Sequence, residues 1–123
     1  MTTTRVVPAV INGCTCFVEC PSWCVIDHVS RPNRFLEDLW HSGTFAGLMA
    51  PSMGRDPEVT LLARLGMDPY SRNADRRSPF VNVDDGGEGL DMTPSQAFEY
   101  ADNLVAFADQ IRAMARTAAG VAR

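Results

Sequence analysis

The chain has 123 residues, 46% apolar and 21% charged, with a formal net charge of -4. That length predicts one domain spanning 1–123, large enough to bury a core yet marginal enough for a metal clip to matter. The apolar fraction excludes wholesale disorder, and the acidic balance argues against phosphate-backbone binding as the main task.

No run is long and apolar enough to span a bilayer, and Met1-Thr2-Thr3-Thr4-Arg5 opens no apolar stretch of signal-peptide length. The expected location is therefore the cytoplasm, with no membrane partner. In a reducing compartment the four cysteines are expected as metal ligands or buried thiols rather than disulfides.

The first element is a hairpin over 5–20. Arg5–Ile11 and Cys14–Cys20 are β-favouring runs joined by Asn12-Gly13, the dipeptide that a type I′ turn prefers because both central residues need positive φ. The turn sets the register: Ile11 faces Cys14, Ala9 faces Cys16, and Val7 faces Val18. These six share one apolar face. Cys14 and Cys16 then read as small core residues. The competing reading joins them to Cys20 and Cys24 as a four-cysteine site for zinc or an iron–sulfur cluster, which leaves both histidines without a purpose.

The segment 20–43 carries the pointed chemistry. It reads Cys20-Pro21-Ser22-Trp23-Cys24, then His28, then His41-Ser42-Gly43, and it holds both histidines of the chain. Two thiolates and two imidazoles suit tetrahedral zinc, so Cys20, Cys24, His28 and His41 are the candidate metal ligands. Pro21 is placed to open a short helix, which would project Cys24 and His28 from one side. Cys20 reaches the site from the strand end, and His41 from a loop or short helix that folds back. Trp23 and Trp40 sit beside ligands and are placed to exclude water. Four protein ligands leave no open position, which favours a structural metal. A catalytic metal would need one ligand absent and a carboxylate base, for which Asp27 and Glu37 are the candidates in the segment. Residue types alone do not separate zinc from iron.

This pattern resembles a family of small, mostly actinobacterial and actinophage domains of unknown function, whose shared core is Cys-Pro-x-Trp-Cys followed by two histidines. Members tend to end in an alanine- and leucine-rich helix that opens Leu-Thr-Pro-x-x-Ala, read here as Met92-Thr93-Pro94-Ser95-Gln96-Ala97. The resemblance covers most of the chain. It implies a compact metal-clipped fold of mixed strands and one helix, and it carries no activity.

Further strands are expected over 44–83. Asn33 is placed to cap one helical turn within Arg34–Trp40, with Phe35, Leu36 and Leu39 inward. Thr44–Met49, Glu58–Leu65 and Phe80–Val83 read as strands, the second apolar enough for a central position. Gly66–Pro79 reads as a solvated loop carrying the basic cluster Arg72, Arg76 and Arg77. Asp84–Gly89 reads as a flexible acidic turn before the last helix, without the alternating ligands of an EF-hand.

Thr93-Pro94-Ser95-Gln96 is a capping box with proline at the first helical position. The helix is expected over 94–118, with Gly120 ending it, at a length of roughly 36 Å. Ala97, Ala101, Leu104, Ala108, Ile111 and Ala115 form its stripe. The stripe is expected to cover a sheet face, with a homodimer or partner contact as the alternative.

The fold expected is α+β: a small antiparallel sheet with the N-terminal hairpin, a metal-clipped segment and one long C-terminal helix packed on the sheet. The function expected is a non-enzymatic interaction or regulatory module with a structural zinc and an unidentified protein partner. Both histidines are committed to metal, so no histidine-based triad can form. The alternatives are a nucleic-acid-binding zinc domain that touches phosphates through Arg72, Arg76 and Arg77, and a zinc-dependent hydrolase.

Overall fold

A computed structural model describes residues 3–120. Two compact units make up these residues, with the boundary between Thr93 and Pro94. The architecture is α+β.

The first unit opens with the hairpin of β1 (Thr4–Ile11) and β2 (Cys14–Pro21). Asn12 and Gly13 have φ of 51° and 76°, the paired positive values a type I′ turn demands. The register obeys that turn, with Ile11 opposite Cys14, Ala9 opposite Cys16 and Val7 opposite Val18. Ala9 and Val18 are buried with Leu39, and Val7, Ile11 and Cys16 pack against them. Cys14 departs from the expected core role. It lies beside the turn, outside that cluster, and is exposed.

The chain after β2 runs back along the free edge of β1. Val10 donates its amide to the His28 carbonyl at 3.1 Å, Asn12 donates to the Asn33 carbonyl at 2.9 Å, and Asn33 donates to the Val10 carbonyl at 3.0 Å. These bonds satisfy an edge that would otherwise be open. They also remove Asn33 from the capping role expected of it. The helical segment beyond Asn33 is a single 3-10 turn, Leu36–Asp38, with no side-chain cap. So short a turn points only one residue inward: Leu39 is buried, while Phe35 and Leu36 are 56% and 39% exposed.

The second sheet contains β3 (His41–Ser42), β4 (Ala46–Ser52), β5 (Arg55–Met67), β6 (Phe80–Asp84) and β7 (Gly89–Met92). The antiparallel strands thus form two sheets rather than the one expected, because the hairpin pairs only within itself. The long β5 is central, as its apolar run predicts. It carries β6 on one edge and both β3 and β4 on the other. β3 and β4 act as one edge strand interrupted at Gly43–Phe45, where Gly43 still donates to the Leu65 carbonyl at 2.9 Å.

Gly66, on β5, is required by close packing. A Cβ there would meet the ring of buried Phe80 at 2.8 Å, closer than real carbon contacts allow. Two elements go beyond the sequence expectation. α1 (Ala74–Arg77) interrupts the basic loop, and Asn73 Oδ1 caps it by accepting from the Asp75 amide at 3.0 Å. The acidic stretch after β6 is a hairpin turn leading into β7, with Asp84 opposite Gly89.

The second unit is α2 (Pro94–Ala118), with the bounds that the proline and the stripe predict. Gly120 comes just after it with a φ of 68°, the left-handed geometry of a helix terminator. None of the α2 residues is buried.

Candidate metal centre

Cys20 arrives near the end of the hairpin's second strand. Its neighbour Pro21 does not open a helix, contrary to expectation. Pro21 is the final residue of β2 and pairs with Thr4, a strand-end position where a missing N–H costs little. The chain then turns tightly, with the Cys24 amide donating to the Pro21 carbonyl at 3.0 Å. That turn, not a helical face, brings Cys24 back beside Cys20. Arg5 of β1 secures it by donating to the Cys24 carbonyl at 2.9 Å.

His28 is delivered by a second turn. Asp27 Oδ1 accepts from the backbone amides of Val29 at 2.9 Å and Ser30 at 3.3 Å. These bonds, the Val29 amide first, hold the Asp27 carboxyl below its usual range. The Asp27 carbonyl also accepts from the Arg31 amide at 3.0 Å. Asp27 is exposed and organises the turn rather than the imidazole.

His41 arrives from the other sheet. It stands on β3 opposite Met67 of β5. The Val25 amide donates to the Ser42 carbonyl at 2.9 Å, tying the cysteine turn to that strand. The two tryptophans flank the site and are half-buried. Arg64 lies over the Trp40 ring at 5.7 Å from its centroid.

The four candidate ligands converge. Cys20, Cys24, His28 and His41 are all buried, and one ligand atom from each lies within 4.8 Å of the others. His28 Nε2 is 3.8 Å from the sulfur of Cys20 and 3.8 Å from that of Cys24. The His28 and His41 rings meet edge to face at 5.2 Å between centroids. In a tetrahedron with metal–sulfur bonds near 2.3 Å and metal–nitrogen bonds near 2.0 Å, ligand atoms are about 3.3–3.8 Å apart. The cluster has that scale.

The electrostatics fit a cation. Both His41 ring nitrogens are buried without a hydrogen-bond partner, an arrangement that costs roughly 1–3 kcal/mol when nothing compensates it. Burial, then the nearby His28, pushes His41 down to about 4. Burial also lowers His28, so both imidazoles are neutral, the state that ligates metal. Burial and then Cys24 raise the Cys20 thiol to about 11, against an opposing pull from Arg5. A divalent cation would offset that penalty and hold the sulfurs as thiolates.

The remaining candidates lie elsewhere. Cys14 and Cys16 are not in the cluster, so the four-cysteine arrangement is not the one gathered. Glu37 is exposed on the 3-10 turn. Within the basic cluster, Arg76 is committed to Asp68 at 2.8 Å and to Asp91, and it lies 4.8 Å above the Phe80 ring centroid. Arg77 donates to the backbone carbonyls of Ser71 and Arg72. Sequence reasoning missed Arg5 and Asp27 as the groups that hold the ligand turns. The Asp27-x-Val29 spacing is a visible turn signal, whereas Arg5 acts across the hairpin and leaves no local sign.

Fold and site together define a small α+β domain with a buried Cys2His2 cluster able to hold a metal ion. Residues 3–120 match the family model described as Domain of unknown function (DUF6907), and the chain belongs to that family. No curated protein and no solved structure matches it.

Proposed function

We propose that the protein is a small non-enzymatic interaction or regulatory module, held together by a structural zinc on Cys20, Cys24, His28 and His41. The observation that carries this reading is the convergence of four buried ligand atoms within 4.8 Å, from two separate sheets. A metal bound there joins the hairpin to the five-stranded sheet. Two thiolates and two imidazoles fill a tetrahedron, which is the pattern of structural zinc and leaves no position for water or substrate. Neither Asp27 nor Glu37 belongs to the cluster, which weighs against a zinc hydrolase. The family resemblance in the Cys-Pro-x-Trp-Cys and two-histidine motif supports the same ligand set.

The nucleic-acid reading loses its phosphate contacts, since Arg76 is committed to two carboxylates. Among the described residues no helix is long and apolar enough to cross a membrane, and we place the protein in the cytoplasm. Elemental analysis of the purified protein tests the central claim. One zinc per chain, absent from a Cys24→Ser variant, is the expected result. Wild-type protein that is folded and metal-free would overturn it, and iron in place of zinc would overturn the choice of ion.

A further inference from the structure

Helix α2 carries more apolar surface than a solvated helix needs. Phe107, Ile111 and Met114 are 56%, 51% and 67% exposed, and Phe98 and Val105 are 75% and 64% exposed. The pattern is ordered. Ala101, Ala108 and Ala115 recur every seven residues, and Leu104, Ile111 and Ala118 recur every seven beside them. This is a two-column seam of heptad type. One column is entirely alanine, so another helix axis can approach to about 8 Å. Tyr100, Phe107 and Met114 form a third column on one flank, again at intervals of seven. The opposite face holds Asp102, Asp109 and Arg116, with Asn103, Gln110 and Thr117 alongside. A narrow apolar stripe needs no partner beyond one surface. A seam with large apolar flanks and a charged back is built to receive another helix.

Charge indicates which helix. The acidic residues Glu99, Asp102 and Asp109 precede the basic residues Arg112 and Arg116 along the axis. Arg112 already pairs with Asp109 at 2.8 Å, so the two ends differ most at Glu99 and Arg116. Antiparallel self-pairing centred on Ala108 sets Glu99 level with Arg116 of the other copy and opposes the helix dipoles. Parallel pairing would set like charges side by side. Leu104 then lies level with Ile111 of the second helix. A strip about 37 Å long and about 10 Å wide on each helix gives a two-sided interface of order 700–800 Å². That is at the small end for a specific contact, which makes the dimer concentration-dependent.

We propose that α2 pairs antiparallel with α2 of a second copy of this chain across the Ala101–Ala108–Ala115 seam. This goes beyond the structural zinc and does not depend on it.

Sedimentation of the full-length metal-loaded protein over a wide concentration range tests it. A reversible monomer–dimer equilibrium is expected. Ala108→Glu buries an unpaired charge at the centre of the seam and should raise the dimer dissociation constant more than about tenfold. Its helix content and metal content should stay unchanged, and Phe107→Gln provides a second test at the seam's flank. Arg116→Glu should weaken the dimer severalfold, and adding Glu99→Arg should restore it. Strict monomer at the highest concentration, with α2 amides protected by the chain's own first unit, would overturn the proposal. So would a dimer indifferent to both Ala108→Glu and Phe107→Gln. A dimer indifferent to charge reversal would overturn the antiparallel register.

Discussion

Removing the metal should uncouple the two sheets of the first unit without melting both. The clip has little else to hold it. The apolar cluster beneath it is Ala9, Val18 and Leu39, of which Val18 and Leu39 contribute at most about 2–3 kcal/mol each. Against this stands the ordering of the backbone from Cys20 to His41, at about 1–2 kcal/mol per residue. The few backbone bonds there return about 1 kcal/mol each. Three of the four largest fully buried side chains are the ligands His41, Cys20 and Cys24, so metal loss leaves a polar core. Structural zinc contributes on the order of 10 kcal/mol, comparable to the whole net stability of a domain.

The readout is hydrogen exchange on chelator-treated wild type and on Cys24→Ser. The amides of Val10, Asn12, Val25 and Asn33 bond across the clip, and they should lose protection. The β5–β6 ladder, Leu62–Gly66 against Phe80–Asp84, should keep much of its own. Emission from half-buried Trp23 and Trp40 should shift toward that of exposed indole. Cys16→Ala, outside the cluster, should retain the metal. If all four amides stay protected after complete metal removal, the clip is held by packing and the reasoning fails.

Gly66→Ala should cost about 1–3 kcal/mol in thermal or urea unfolding, because a Cβ would overlap the Phe80 ring. Arg76→Ala should cost about 1–2 kcal/mol through its two part-exposed ion pairs and the Phe80 contact, whereas exposed Arg72→Ala should stay within about 0.5 kcal/mol. Zinc affinity, measured by competition with a chromophoric chelator, should rise by about two decades per pH unit between about 6.5 and 8.5, since two thiols must ionise. Below about 6.5 the slope should steepen toward four, because imidazoles in the loosened metal-free chain protonate at ordinary values, while the closed frame holds His41 down at about 4. A slope of two persisting to acid pH would show a metal-free frame that stays closed.

The parts legible in the sequence are those governed by local chemistry. Asn12-Gly13 dictates a turn whose register orders eight residue pairs. Pro94 and the alanine stripe bound α2 at Pro94–Ala118. The four ligands are legible as residue types, but their delivery is not. A spacing of four suits one face of a helix, and a pair of tight turns meets the same need, as Pro21 and Asp27 show. α1 is hidden because four residues carry no periodicity. β7 is hidden because Gly86 and Gly87 read equally as a flexible linker or a hairpin turn. His41 reads as a loop residue because the strand it begins is broken at Gly43–Phe45, and only its pairing with Met67 makes it a strand residue.

The four ligands are not equivalent, and their positions predict how the site assembles. Cys20, Cys24 and His28 fall within nine residues and are placed by turns that close locally. His41 is placed by β3 against β5, so it is in position only when the second sheet has formed. Three local ligands can therefore capture a metal first, and His41 completes the tetrahedron as the sheets dock. His41→Ala should leave a three-ligand site that binds cobalt or zinc more weakly and admits water at the fourth position. Cobalt spectra would report the change from two sulfurs and two nitrogens to two sulfurs, one nitrogen and one oxygen, and added imidazole should restore the original bands. Cys24→Ser, by contrast, breaks the local half and should not be rescued. Complete loss of metal binding in His41→Ala, equal to that in Cys24→Ser, would refute this order and show that the site forms only as a unit.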